Sequence, residues 1–312
     1  MKHILRSQQF DRFALEKLFK DTDELGVQYD HPEGRTALRN ECEGKLLFAV
    51  FYEPSTRTRF SFCSAAHHLG MHSIQTENAR EFSSAVKGET LEDTTNALCQ
   101  YDPDILVLRH HETGGADRAA SIVDMYDYRT SIVNAGDGSG QHPTQALLDL
   151  YTIRRELGRT HDITVTIGGD LVNGRTARSL VYLLTKYEKV RFIFISPANL
   201  RMGEDIIAHL QEHDSPFVET EEMELALSTS DIVYWTRVQK ERGGVNSTLN
   251  LRIGMPEMQM MKKDAVLLHP LPRVEEIAKE VDSDHRAAYF RQVRNGMLIR
   301  MALLRDLCTS GR

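Results

Sequence analysis

The chain has 312 residues, 41% of them hydrophobic, and its 38 lysines and arginines against 45 aspartates and glutamates give a net charge of −7. This length predicts about two domains of roughly 150 residues each, and the acidic balance argues against a general attraction to nucleic acid or anionic membranes. The four cysteines form no C-x-x-C pair, which argues against a disulfide framework or a zinc site. Because no apolar run approaches the roughly 18 residues of a membrane span, we expect a soluble cytoplasmic protein with no membrane partner.

Strand-like and helix-like patterns alternate along the chain. Strands are predicted at 46–51, 72–76, 105–108 and 131–135, and then at 163–167, 190–195, 217–219, 231–234 and 265–268. Helices are predicted at 11–25, 58–69, 90–100, 116–125, 143–157, 176–187, 204–213, 222–227 and 289–308. Such alternation is typical of parallel sheets covered by helices. The helix at 143–157, with a proline at its start, joins two such series, so the sequence predicts two α/β domains.

The most informative segment is Ser55-Thr56-Arg57-Thr58-Arg59, between the apolar strand 46–51 and a helix. Free backbone N–H groups and the positive end of the helix dipole converge at such a turn, and arginine adds a planar fork of donors that matches phosphate. Residues two apart on a helix point to nearly opposite sides. We therefore assign Arg57 to a phosphate, and Arg59 either to an ion pair with an acidic neighbour or to solvent.

Polar segments follow six of the predicted strands. They are 53–59, 109–111, 136–145, 168–175, 236–242 and 269–273. Ligands bind at the carboxyl ends of the strands in open parallel sheets. The six segments together predict a single cleft lined by two domains.

Six motifs carry a resemblance to a known family. They are 51–59, 87–90, 142–145, 174–176, 236–239 and 269–273. In this order they resemble the aspartate and ornithine carbamoyltransferases over nearly the whole chain, and the last two indicate the aspartate branch. The resemblance implies an α/β fold of two domains, each with a parallel sheet flanked by helices, linked by two interdomain helices. Residues 1–142 with 296–312 would bind carbamoyl phosphate, and residues 143–295 would bind aspartate.

The resemblance also implies a reaction and a set of site residues. The carbamoyl group of carbamoyl phosphate would pass to L-aspartate, giving N-carbamoyl-L-aspartate and phosphate in pyrimidine biosynthesis. The implied catalytic residues are Arg57, Thr58, Lys87, Arg109 and His142. The implied carbamoyl-phosphate-binding residues are Ser55, Thr56, Arg57, Thr58, Arg109, His142, Gln145, Pro270, Leu271 and Pro272. The implied aspartate-binding residues are Lys87, Arg175, Arg237 and Gln239.

The same resemblance implies a homotrimer with shared active sites, in which Ser83 and Lys87 come from the neighbouring chain. Glu53 would bridge to Arg175 and Arg242 when the two domains close. The sequence leaves open whether regulatory chains or a dihydroorotase bind this trimer.

No cofactor or metal is expected. The adjacent pairs His67-His68 and His110-His111 lack carboxylate support at ligand spacing. The segment Gly168-Gly169-Asp170 lacks the spacing of a dinucleotide-binding loop. The sequence shows no obvious general base for the attacking amine, so the departing phosphate is expected to accept its proton.

Two other functions compete with carbamoyl transfer to aspartate. A transferase acting on ornithine would need an acidic residue for the second ammonium group, whereas this chain has Arg237. A non-catalytic phosphate-binding module is disfavoured because Arg109, His142 and Gln145 are all present. The methionine-rich segment 243–263 departs from the family pattern, which puts domain closure and aspartate affinity in question.

Overall fold

The structure, a computed structural model, describes residues 1–82, 84–237 and 251–309. It divides into two compact units. Unit 1 comprises Met1–Thr144 and Gly296–Arg312, and unit 2 comprises Gln145–Asn295. Each unit has its own parallel sheet with helices around it, which confirms the predicted fold class.

Unit 1 holds a four-stranded parallel sheet in the order β2-β1-β3-β4. Its strands are β1 (Leu46–Phe51), β2 (His72–Glu77), β3 (Ile105–His110) and β4 (Ser131–Asp137). The accompanying helices are α1 (Arg12–Asp30), α2 (Pro32–Leu38), α3 (Thr56–His68), α4 (Ala79–Phe82), α5 (Leu91–Cys99) and α6 (Gly115–Met125).

The strands of unit 1 follow from their apolar runs. β1, β3 and β4 are buried almost throughout, as expected for parallel strands covered on both faces. β2 lies at the edge of the sheet and exposes most of its side chains. The chain runs from β1 to this edge and returns on the other side of β1 as β3, so the strand order reverses between β1 and β3. Parallel sheets bind ligands beside such a reversal.

Unit 2 holds a five-stranded parallel sheet in the order β7-β6-β5-β8-β9. Its strands are β5 (Ile163–Gly168), β6 (Val190–Ile195), β7 (Phe217–Thr220), β8 (Ile232–Trp235) and β9 (Val266–Leu268). Its helices include α7 (Pro143–Leu157), α8 (Arg175–Leu184), α9 (Glu204–Glu212), α10 (Met223–Thr229) and α11 (Met255–Met260). The chain passes from one unit to the other within α7 and within the last helix, α12 (Tyr289–Thr309).

The second reversal of strand order lies between β5 and β8, where two glycines allow a close approach of the chain. A Cβ on Gly168 would come within 2.2 Å of the Trp235 ring. Gly169 has a φ of +121°, and a Cβ there would meet the carbonyl of Thr236 at 2.3 Å. The ends of β5 and β8 are thereby held side by side, with the segments that follow them at the same edge of the sheet.

The structure differs from the sequence-based expectations in three places. The short helices α2, α4 and α11 were not predicted. β8 spans Ile232–Trp235, one residue beyond the end of the predicted strand, and Arg237 lies in the segment that follows it. In the described part of the methionine-rich segment, Met258 and Met261 are buried in the hydrophobic cluster that contains Trp235, whereas Met255 and Met260 are exposed; residues 243–250 lie outside the described ranges.

Within the described ranges, none of the helices combines the length and the apolar character needed to cross a membrane.

Candidate active site

The start of α3 in unit 1 is built to receive an anion. Ser55 is the N-cap residue, and within the described part of the chain its side chain caps none of the first backbone N–H groups of the helix. Thr56, Arg57 and Thr58 form the first turn, where N–H groups have no partner inside the helix. The backbone N–H of Ser55 donates to the Glu77 carboxylate at 3.3 Å. A carboxylate on this turn indicates that it accepts oxyanions.

The two arginines of this turn have different surroundings. Arg59 donates to Glu77 through Nη2 at 2.6 Å, and its side chain is largely buried. Arg57 is exposed, and no ion pair joins it to another residue of the described ranges. The ion-pair interpretation of Arg59 is confirmed, and Arg57 is left available for a ligand.

Arg109 lies next to this turn because β1 and β3 are paired, with Phe51 opposite Arg109 in the register. Its guanidinium donates to the Ala135 carbonyl at 3.2 Å and lies 3.4 Å from the Glu53 carboxylate. A fixed guanidinium at a strand end can stabilise a developing negative charge. Glu53 thus contacts Arg109 within unit 1; Arg242 lies outside the described residues, and a bridge from Glu53 to Arg175 stays a prediction.

His142 and Thr58 are brought together at the same edge of unit 1. The His142 Nε2 lies 3.5 Å from the Thr58 Oγ1, and both side chains are buried. The loop before His142 is fastened by the buried Asp137, whose carboxylate accepts from the backbone N–H groups of Gln141 and Gly114. The structure therefore places Thr58, Arg109 and His142 of the predicted set at one end of one sheet.

Lys87 ends a short helical turn, Ser84–Lys87, and is exposed. It makes no ion pair with any of the residues that the structure describes, so its ammonium group is available to a ligand or to another chain. Ser83, the other residue predicted to act across a subunit interface, lies outside the described ranges.

In unit 2, the reversal between β5 and β8 carries the predicted aspartate-binding arginines. Arg175 is the first residue of α8, after the turn that follows β5, and Arg237 follows β8 by two residues. Both are partly buried. Gly168 and Trp235 are opposite each other in the register, so the segments that carry the two arginines leave the sheet side by side. Gln239 lies outside the described ranges.

Gln145 is held by a buried carboxylate one turn further along α7. Its amide Nε2 donates to the Asp149 Oδ1 at 2.8 Å. Asp149 is fully buried and also accepts from the Tyr234 hydroxyl at 2.8 Å and from the Gln292 amide at 2.5 Å. Burial first, and then the charge of Asp149, raise the pKa of Tyr234 well above its usual value, so its hydroxyl remains a donor. Three donors on one carboxylate fix the orientation of the Gln145 amide.

The segment Pro270–Pro272 is fixed through His269. The Leu271 N–H donates to His269 Nδ1 at 2.7 Å, which leaves the imidazole proton on Nε2, and Nε2 lies 2.9 Å from the Glu276 carboxylate. Burial raises the pKa of Glu276, but the hydrogen bond from His269, backbone hydrogen bonds and the charge of His269 together lower it by more, so the pKa lies below its usual value and the group remains a carboxylate. Leu271 has a φ of +54°, a backbone conformation that this side-chain contact supports.

Sequence reasoning missed several residues that position these groups. They are Asp137, Asp149, Tyr234, Gln292 and Arg300. Gln292 links two parts of unit 2, since its amide donates to Asp149 and its oxygen accepts from the His269 N–H at 3.2 Å. Arg300 is buried in unit 1 and donates to Ser61 Oγ at 2.8 Å on α3. Asp149 had a local signal, because it is four residues after Gln145 and so on the same helix face; Gln292 and Arg300 had none.

Known proteins similar to this chain include aspartate carbamoyltransferases. A rice protein named "Aspartate carbamoyltransferase, chloroplastic" is 47% identical over 97% of this chain and 84% of its own length. The "Aspartate carbamoyltransferase catalytic subunit" of Clostridium novyi is 41% identical over 97% of this chain and 96% of its own. A crystal structure of the Trypanosoma cruzi aspartate transcarbamoylase in complex with N-(phosphonacetyl)-L-aspartic acid superposes with a TM-score of 0.88, at 36% identity over 97% of this chain and 95% of that one.

The expectation of a cytoplasmic location is wrong. The rice protein and its relatives from pea and Arabidopsis thaliana are named chloroplastic. The expectation rested on the lack of an apolar run long enough for a membrane span and on widely spaced cysteines, and neither property distinguishes one reducing compartment from another.

Family profiles cover both halves of the chain. The profile described as "Aspartate/ornithine carbamoyltransferase, carbamoyl-P binding domain" matches residues 2–155, and the one described as "Aspartate/ornithine carbamoyltransferase, Asp/Orn binding domain" matches residues 161–307. The resemblance drawn from the six motifs is confirmed: the chain belongs to the aspartate/ornithine carbamoyltransferase family.

Proposed function

We propose that this protein is an aspartate carbamoyltransferase, which transfers the carbamoyl group of carbamoyl phosphate to the amino group of L-aspartate and releases phosphate. The observation that carries the proposal is the junction of β1 and β3, where the uncapped start of α3 with its available Arg57 lies beside Arg109. A phosphate site with a fixed cation next to it suits a substrate in which a carbonyl is bonded to phosphate. Relatives at 41–47% identity that bear this enzyme's name support the assignment.

The two units divide the substrates between them. Residues 1–142 with 296–312 form the carbamoyl-phosphate-binding domain, and residues 143–295 form the aspartate-binding domain. Ser55, Thr56, Arg57 and Thr58 hold the phosphate, with help from the first backbone N–H groups of α3. A doubly charged phosphate at this point gains both from the helix dipole and from charge-assisted hydrogen bonds.

The carbonyl oxygen of the carbamoyl group accepts from Thr58, Arg109 and His142. As the amine attacks, negative charge develops on this oxygen, and donors already in place stabilise it without reorganisation. His142 acts as a donor rather than as a base. Backbone carbonyls of Pro270 and Leu271, with Pro272 setting the turn, and the side-chain oxygen of Gln145 accept from the carbamoyl NH₂ group.

L-Aspartate is bound by cations, since it carries two carboxylates. Arg175 and Arg237 leave the β5–β8 edge side by side and bind one carboxylate each, with Gln239 and Lys87 completing the site. The amine nitrogen forms a bond to the carbonyl carbon, the bond from that carbon to the phosphate oxygen breaks, and the departing phosphate takes the proton of the amine.

A panel of amines tests the proposed reaction. The purified protein is incubated with carbamoyl phosphate and, separately, with L-aspartate, L-ornithine, L-glutamate or no amine, and both phosphate release and carbamoylated product are measured. We expect carbamoylated product with L-aspartate and none with L-ornithine, because a second carboxylate satisfies Arg175 and Arg237, whereas an ammonium group would be repelled; L-glutamate, which also has two carboxylates, measures the selection for chain length. Product with ornithine and none with aspartate contradicts the proposal.

The same proposal includes a homotrimer in which Ser83 and Lys87 enter the site of the neighbouring chain. Lys87 is exposed, and exposed apolar side chains occur nearby in the fold, at Phe60 on α3, Ile74 on the open edge strand β2 and Val86 next to Lys87. An open parallel edge with apolar side chains is a surface that proteins usually cover.

Shared sites predict that two inactive variants restore each other. Chains with Arg57→Ala and chains with Lys87→Ala are co-expressed in equal amounts, and random trimers should regain about a quarter of wild-type activity, because one site in four pairs an intact Arg57 with an intact Lys87 of its neighbour. The control mixes Arg57→Ala with His142→Ala, both of which belong to one chain's own part of the site, and should stay inactive. An inactive first mixture with normal trimer formation would show that Lys87 serves its own chain.

A further inference from the structure

A cluster of three side chains that carry metal-ligating atoms lies at the end of α9 in unit 2 and includes no residue assigned to the reaction. His209, Glu212 and His213 follow the spacing i, i+3, i+4, so they share one face of the helix end. Each offers one ligand atom, and these atoms lie within 4.8 Å of one another. The imidazole rings of the two histidines are 4.0 Å apart.

Hydrogen bonds hold both histidine rings and leave one nitrogen of each available. Thr185 Oγ1 lies 3.2 Å from the Tyr182 carbonyl and 2.9 Å from His209 Nε2. With its proton donated to the carbonyl, the hydroxyl accepts the ring proton of His209, and the lone pair of His209 is on Nδ1. His213 Nδ1 lies 2.9 Å from the His209 carbonyl, which can only accept, so the lone pair of His213 is on Nε2.

Protein metal sites are built in this way. A histidine that ligates a metal usually donates its other ring N–H to an oxygen, which orients the ring and fixes the tautomer. The ring of Tyr182 also packs edge-on against His209 at 4.6 Å and restricts its rotation. The negative end of the α9 dipole lies at these residues and favours a cation.

We propose that His209, Glu212 and His213 bind a divalent transition metal ion such as Zn²⁺, with Thr185 as a positioning residue. Imidazole and carboxylate ligands suit Zn²⁺, Ni²⁺ or Cu²⁺ rather than Mg²⁺ or Ca²⁺, which prefer oxygen. Tetrahedral ligands of zinc lie about 3.4 Å apart, so small rotations of the exposed Glu212 and His213 side chains close the site. The bound ion would fasten the end of α9 to α8 through Thr185.

Titration of the full-length protein with Zn²⁺ alone, followed by calorimetry and by thermal unfolding, tests the proposal. We expect one binding event that His213→Ala and Glu212→Gln each weaken by about 10-fold or more, and that Thr185→Val weakens by about 10- to 100-fold by freeing the His209 ring. Zn²⁺ should raise the unfolding temperature of the wild type and not that of His213→Ala. Carbamoyl transfer should be the same in both.

The matched control is His285→Ala, since His285 is 82% exposed in the same unit and lies outside the cluster. This variant should bind Zn²⁺ as the wild type does. A wild-type protein without the binding event, or Zn²⁺ affinity that is unchanged in both His213→Ala and Glu212→Gln, overturns the proposal, whichever amine the enzyme uses.

Discussion

Replacing Arg57 with alanine is expected to abolish measurable carbamoyl transfer while the protein stays folded. Arg57 is exposed and forms no ion pair with the other described residues, so its removal should change the free energy of unfolding by less than about 0.5 kcal/mol. The phosphate would lose a charge-assisted donor as its bond to carbon breaks, which costs on the order of 10³-fold in kcat. Steady-state kinetics and thermal unfolding of one preparation measure both effects.

Arg59→Ala is the matched control, because it removes the same side chain two residues away. Arg59 is tied to Glu77 at 2.6 Å, and loss of this partly buried pair should lower the free energy of unfolding by about 1–2 kcal/mol. Its effect on kcat should be much smaller than that of Arg57→Ala. If the two variants exchanged these phenotypes, the assignment of Arg57 to the phosphate would be wrong.

Replacing Asp149 with alanine is expected to damage both stability and turnover, although Asp149 is not proposed to touch substrate. Its carboxylate accepts from Gln145, Tyr234 and Gln292, all in a buried environment. Three unsatisfied donors should lower the free energy of unfolding by about 3 kcal/mol or more. The Gln145 amide would lose its fixed orientation, and a misplacement of about 1 Å can cost roughly 10²-fold in rate.

Thr152→Val is the control that distinguishes a loss of Gln145 orientation from a loss of stability. Thr152 is buried on the same helix and accepts from Asn295 at 3.0 Å, and in the described part of the chain no hydrogen bond joins it to Gln145. Its loss should lower the free energy of unfolding by about 1 kcal/mol and leave kcat/KM near the wild-type value. If Asp149→Ala lowered stability but left kcat/KM unchanged, the orientation of Gln145 would have no role in the reaction.

The strands and most long helices could be predicted from sequence because each is a local pattern. β1, β3 and β5 are short apolar runs between turn residues, and α7 begins at a proline. The segment 55–59 could be recognised for the same reason, since a strand, a polar turn and a helix start are adjacent in the chain. The different surroundings of Arg57 and Arg59 followed from helix geometry alone.

Gln292 and Arg300, which hold parts of the site in place, could not be predicted, because their partners are far away in the sequence. Gln292 is 143 residues from Asp149, and Arg300 is 239 residues from Ser61. Trp235, the last residue of β8, packs against Gly168 of β5, and no local pattern reveals this contact. The spacing of His209 and His213 on α9 is visible in the sequence, but the contact of His209 with Thr185, 24 residues away, is not.

The central claim is that a new bond joins the carbamoyl carbon to the nitrogen of L-aspartate. Carbamoyl phosphate with a magnetic isotope at its carbonyl carbon and L-aspartate with one at its amine nitrogen are incubated with the enzyme, and the product is examined by nuclear magnetic resonance. We expect a one-bond carbon–nitrogen coupling that appears at the rate of phosphate release and is missing with Arg57→Ala. Phosphate release without this coupling would show that the protein hydrolyses carbamoyl phosphate and would contradict the proposed transfer.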